Sequence, residues 1–113
     1  MNSAKLQPII IDEKKSNGAI EYTLKAPEDL SFFPHHFPGY PIVPGVSQFQ
    51  WVMNFLPNTM GVFAGINNIK FNRPITPNTT FFLSIETNTE NKRASFRFYD
   101  DNGNLSSGQI IFK

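Results

Sequence analysis

The eleven residues from Val46 to Leu56, "VSQFQWVMNFL", have Pro44 two positions before them and Pro57 directly after them. Proline is tolerated in the first turn of a helix and stops one that runs into it. No other stretch of the chain reads as a good helix. At about 100° per residue, Val46, Phe49, Val52, Met53 and Leu56 form a broad apolar arc. Trp51 and Phe55 carry that character around most of the remainder, so the helix is expected to be buried on nearly every side. Ser47, Gln50 and Asn54 fall on one narrow polar stripe, and Gln48 stands apart from it. A lone helix that wants cover all round requires the rest of the chain to enclose it.

That remainder reads as sheet. "QPIIIDE" (7–13) is a short β-branched run with Pro8 near its start, where a missing N–H does least harm. Asn17-Gly18 is a strong hairpin signal, and "AIEYTLKA" (19–26) then alternates Ile20, Tyr22 and Leu24 with polar partners before Pro27 closes it. "GINNIKFNRPI" (65–75) predicts one strand with an exit at Pro74. "TTFFLSIETN" (79–88), "KRASFRFYD" (92–100) and "SSGQIIFK" (106–113), joined by short polar and Asn-Gly turns, predict an antiparallel meander. Ser95-Phe96-Arg97-Phe98 alternates as a sheet with one covered face requires. One helix with five or six antiparallel strands is an α+β arrangement, and a curved sheet wrapped around the helix is the simplest way to build it. With 113 residues and no internal repeat or linker, one domain over 1–113 is expected.

Composition narrows the function classes. At 40% hydrophobic and 17% charged residues the chain reads as globular, neither disordered nor membrane-spanning. Twelve phenylalanines imply a core or tunnel built from rings, and a core this small gains from burial between subunits. A net charge of +1, with Lys14-Lys15 and Lys92-Arg93 as short pairs in expected turns, gives no basic stripe for nucleic acid. The absence of cysteine excludes disulfides and thiolate metal sites. With no apolar run of about 18 residues and no basic-then-apolar start, no membrane partner is expected and the cytoplasm is the expected location.

Between Pro27 and Pro44 the chain carries Pro34, Pro38, Gly39 and Pro41, a spacing that neither a helix nor an inner strand tolerates. This stiff connection holds both histidines, His35 and His36, in "FFPHHFPGYPIVPGVSQFQW" (32–51). Two adjacent histidines without a carboxylate or thiol cluster do not make a normal metal site, so no metal is expected.

His36-Phe37-Pro38-Gly39 followed by Pro41-Ile42-Val43-Pro44-Gly45-Val46 resembles the signature HFPG-x-P-(I/V)-(M/L)-P-G-V of hotdog-fold 3-hydroxyacyl-(acyl-carrier-protein) dehydratases. "IKFNRPITPNTTFFLSIE" (69–86) is similar to the strand KF-x-RPV-x-PGD-x-L of that family. "PEDLSFF" and "VSQFQW" look like the branch associated with aryl polyene synthesis. The resemblance spans about residues 27–86. It implies a hotdog fold, pairing into dimers with continuous sheets, and active sites at the dimer interface. It also implies a 3-hydroxyacyl thioester on the phosphopantetheine of acyl carrier protein as substrate, a trans-2-enoyl thioester as product, and no further cofactor.

Eliminating water needs a base for the C2 proton and an acid for the departing C3 hydroxyl. His36 suits the base, because imidazole titrates near neutral pH; His35 is expected to be structural. The thioester oxygen gathers negative charge, which the free N–H groups of a helix start at Gly45-Val46 would stabilise. Prolines 38, 41 and 44 would hold the two in fixed relation. Substrate contacts are assigned to Phe37, Pro38, Gly39, Ser47 and Asn54.

The family's acid, Glu or Asp, lies fourteen positions after its histidine, and here that position is Gln50. An amide has no proton to give at ordinary pH. Three readings stay open. Gln50 positions a water that protonates the leaving group; or Glu28, Asp29 or a partner residue replaces the acid; or the chain binds acyl thioesters without converting them. A hotdog thioesterase, with water attacking the thioester carbonyl, is the alternative enzyme. Gln50 with Asn54 also reads as a satisfied buried amide pair, Phe49, Trp51 and Phe55 as core, and Arg73 as a packing residue of the sheet or dimer.

Overall fold

The computed structural model describes residues 6–30 and 42–113. Strands β1 (Ile9–Ser16), β2 (Ala19–Lys25), β3 (Phe63–Phe71), β4 (Thr80–Asn88), β5 (Arg93–Asp100) and β6 (Gly103–Phe112) accompany one α-helix, α1 (Gly45–Phe55). They form one sheet in the order β1-β2-β4-β5-β6-β3, with every neighbouring pair antiparallel. The Asn17-Gly18 turn closes β1 on β2 with Ser16 opposite Ala19, and Gly18 takes φ +77°, where a side chain would be strained. The meander β4-β5-β6 forms as its alternation predicts.

Period-two patterning sets the inner face. Leu83 and Ile85 of β4, Phe96 and Phe98 of β5, and Ile110 and Phe112 of β6 are buried, and the residues between them are not. The helix lies across this face and touches five strands. Phe55 stacks on Tyr22 of β2 at 4.2 Å, and Trp51 packs on Phe81 of β4 and Phe98 of β5. Gln48 meets Ser106 of β6, and Phe49 meets Phe63 of β3 edge-on at 5.7 Å. This is the hotdog arrangement, a sheet wrapped around its helix.

Two expectations need correction. The helix is not buried on every side: Gln48, Trp51 and Val52 are its buried residues, while Val46 is 75% exposed and Gln50 and Asn54 face solvent. A single sheet covers one face of a helix, and no described element covers the other. The strand expected over 65–75 ends at Phe71, because the N–H groups of Asn72 and Arg73 both turn to the carbonyl of Leu105. Arg73 then fixes the exit: its guanidinium grips Asp100 at 2.5 and 3.2 Å and the Gly103 carbonyl at 2.9 Å. The packing role expected for Arg73 is the one found. That pairing, with a second hydrogen bond from the Asn102 N–H, holds the Asp100 carboxyl below its usual range and the Arg73 guanidinium above its own.

Candidate active site

Pro44 precedes α1 in extended conformation and gives it no side-chain cap, and no acidic residue lies in the first turn. The N–H groups of Ser47 and Gln48 fold back to the Pro44 carbonyl at 3.0 and 3.1 Å. Those of Gly45 and Val46 have no acceptor among the described residues. Among the described residues the positive end of the helix is therefore uncapped, with two donors available to an anionic oxygen. A Cβ on Gly45 would come within 2.6 Å of the tip of the exposed Phe71 ring, which would have to shift.

Two cavities flank this point. One, of about 380 Å³, runs between Ile42–Pro44 and Asn72–Pro74. The other, of about 310 Å³, is walled by Val46, Phe49, Ile66, Ile69 and Phe96, with Gln48 and Ser106 its polar side chains. Gly45, Gln48 and Phe71 line both. A thioester carbonyl held at Gly45 would lie between a mainly apolar cleft beside Arg73 and an almost wholly apolar cavity under Phe49.

Of the expected site residues, Gly45, Val46 and Ser47 come together at the helix start. Gln50 and Asn54 are adjacent as their spacing demands, with Gln50 Nε2 donating to Asn54 Oδ1 at 2.9 Å and Asn54 Nδ2 to Gln7 Oε1 at 3.2 Å. They are an exposed pair, not the buried pair also considered. Glu28, considered above as a replacement for the acid, is exposed and takes a hydrogen bond from Asn78 Nδ2 at 3.1 Å. Asp29 is exposed too. His35, His36, Phe37, Pro38 and Gly39 lie outside the described residues. Among the described residues no three His, Cys, Asp or Glu side chains gather around a common point, and no helix is long and apolar enough to cross a membrane.

Gln48, Ser106 and Phe71 were not anticipated. The sequence signal for Gln48 is its place three and four positions before Trp51 and Val52, on the face that carries the largest side chain. Phe71 is the phenylalanine of the KF-x-RP stretch, and Ser106 carries no local signal.

The profile of the ApeI-like proteins, described as ApeI dehydratase, matches residues 12–109. This chain belongs to the ApeI-like dehydratase family. The 3-hydroxyacyl-(acyl-carrier-protein) dehydratase FabZ of Fusobacterium nucleatum subsp. nucleatum is 29% identical over 92 residues, 72% of this chain. The ApeI-like chain spans 65% of that relative's length. Among solved structures, the dehydratase heterocomplex ApeI:P from Xenorhabdus doucetiae superposes with a TM-score of 0.84 at 30% identity, covering 93% of this chain and 96% of that one. An uncharacterized protein from Erwinia carotovora subsp. atroseptica follows at 0.77 and 32%, covering 92% and 94%.

Proposed function

We propose that this chain dehydrates 3-hydroxyacyl thioesters carried on acyl carrier protein to trans-2-enoyl thioesters, in fatty-acid or polyene-type synthesis in the cytoplasm. The observation that carries this reading is the uncapped helix start at Gly45-Val46, opening between two mainly apolar cavities in a member of a dehydratase family. His36 takes the C2 proton. The C2–H electron pair forms the new double bond as the C3–O bond breaks. The departing hydroxide takes a proton from a water held at Gln50 and leaves as water, and protonated His36 returns its proton to the hydroxide that remains. The Gly45 and Val46 N–H groups bind the thioester oxygen while it carries charge. Gln50 orients the hydroxyl or a water, and Phe37, Pro38, Gly39, Ser47 and Asn54 contact the substrate. The carrier's phosphopantetheine is the only prosthetic group needed.

A second hotdog subunit, a copy or a related chain, pairs along β3. This strand is a sheet edge, and Phe63, Ile66 and Phe71 on it are 44–62% exposed beside the bare Val46. The heterocomplex named for the Xenorhabdus relative supports a related chain as that subunit. The exposure of Gln50 favours one further reading, in which the partner supplies the acid and this chain alone binds acyl thioester without turnover.

Mass spectrometry of a 3-hydroxyacyl-carrier protein incubated with the protein separates these. Loss of one water per acyl chain, abolished by His36→Ala, supports dehydration. Gln50→Glu is expected to raise the rate about 10²-fold, the lower end of what a positioned acid contributes. Free acid and thiol instead would indicate a thioesterase, and no change with any variant would leave acyl binding.

A further inference from the structure

Gln48 and Ser106 are the buried polar residues of the described core, at 4% and 1% exposure, and they meet across 58 positions of sequence. Ser106 Oγ lies 2.6 Å from Gln48 Oε1, and Gln48 Nε2 lies 3.3 Å from the Val43 carbonyl. The chemistry leaves one arrangement. A carbonyl only accepts, so the amide nitrogen must face Val43. The amide oxygen then faces Ser106, and the hydroxyl must donate.

The consequence falls on the turn that opens the helix. The side chain of Gln48 holds the Val43 carbonyl, and its own N–H, with that of Ser47, holds the Pro44 carbonyl. From the other side, the Val43 N–H is tied to the Ile75 carbonyl at 2.8 Å. A trans peptide is planar, with C=O and N–H on opposite sides, and no cis bond is present among the described residues. Fixing the Pro44 carbonyl towards the helix therefore aims the Gly45 N–H outwards, into the open site. Two consecutive peptide planes before the first free donor are thus set by one residue. That residue is in turn locked to β6 by Ser106.

Burying an amide and a hydroxyl in an otherwise apolar wall costs free energy that a hydrocarbon pair of the same shape would not. Their bonds run from β6 through the helix to the turn that opens it. We propose that Gln48 and Ser106 are positioning residues that hold the Val43–Gly45 turn, and through it the Gly45 and Val46 N–H groups, at the angle the thioester oxygen needs. This rests on the helix start being the thioester site.

The test uses the full chain as Ser106→Ala, Ser106→Thr and Gln48→Leu, with two readouts. The first is amide hydrogen exchange by NMR at Ser47, whose N–H is bonded to Pro44, with Leu83 and Phe98 in the core strands as internal standards. The second is turnover of a 3-hydroxyacyl-carrier protein. Ser106→Ala and Gln48→Leu are expected to speed exchange at Ser47 about tenfold, the usual scale for a buried polar group left unpaired, with the core strands unchanged. They should lower kcat about tenfold with KM within about twofold, and Ser106→Thr, which keeps the hydroxyl, should restore both. Unchanged exchange at Ser47, an equal rise in the core strands, or no rescue by threonine would overturn the proposal. So would faster exchange with kcat intact. If the wild type converts no 3-hydroxyacyl thioester, the thioester reading fails, while the exchange measurement still decides whether the clamp exists.

Discussion

Gln48 and Gln50 carry the same side chain two positions apart on one helix, and their surroundings are opposite. Gln48 is 4% exposed and spends its amide on Val43 and Ser106; Gln50 lies in solvent and shares its amide with Asn54, and through it with Gln7. Two steps of about 100° place them on opposite faces. The inner face, Gln48-Trp51-Val52-Phe55, packs on the sheet and fixes the position of the helix start. The outer face, Val46-Gln50-Asn54, meets no strand of the described structure. What matters for chemistry is thus divided: the face that sets geometry is buried, and the face carrying the residue at the acid position is open to a partner.

The largest test of this division is Trp51→Ala against Val46→Ala. Trp51 is 1% exposed among Phe81 and Phe98, and its loss should cost about 3–5 kcal/mol in urea unfolding. Val46→Ala should stay within about 0.5 kcal/mol in the isolated chain. A cost for Val46→Ala that appears only as protein concentration rises would mean a second subunit covers the outer face.

The strands and the helix limits were legible because each rests on local chemistry. Pro44 and Pro57 bound α1 to within a residue, and alternation along Phe96 and Phe98 gave the inner side of β5. The orientation of the helix was not legible. Apolar residues occur all round it, so an arc through Phe49, Val52, Met53 and Leu56 looked as good as the true one, which is turned by one residue. A buried glutamine makes sense only beside its partner, and the partner of Gln48, Ser106, is 58 positions away. The motif gave the helix start and Gln50 directly. It could not show that Gln50 faces away from the core, since that depends on which helix face the sheet takes.

Tyr22 extends the comparison to pH. It lies on β2 under Phe55, at the far end of the inner face. Burial, reinforced by hydrogen bonding to and repulsion from Glu13, pushes its phenol from 10.0 up to about 12. The neutral phenol is thus favoured by folding. Its contribution is complete below about pH 10 and is lost as pH rises towards 12. Thermal melts between pH 8 and 11 should show a fall above pH 10 that Tyr22→Phe flattens. An equal fall in both proteins would mean that this end of the inner face is looser than its packing indicates.

The smallest effect is the sharpest discriminator, because it compares the same substitution at the two glutamines. Gln48→Leu keeps the bulk of the side chain but leaves the Ser106 hydroxyl without an acceptor and the Val43 carbonyl without a donor. A buried unpaired group costs about 1–3 kcal/mol, and the leucine's added burial offsets part of it, so a net loss of about 1–2 kcal/mol is expected in urea unfolding. Gln50→Leu removes one solvent-exposed hydrogen bond to Asn54, which water replaces, and should stay within about 0.5 kcal/mol. If the two costs were equal, residue 50 would have to be as enclosed as residue 48, an enclosure that no element among the described residues provides and a second chain against the outer face would. A stability difference that vanishes on adding such a partner would therefore locate the interface at Gln50, beside the open helix start where the leaving hydroxyl has to be met.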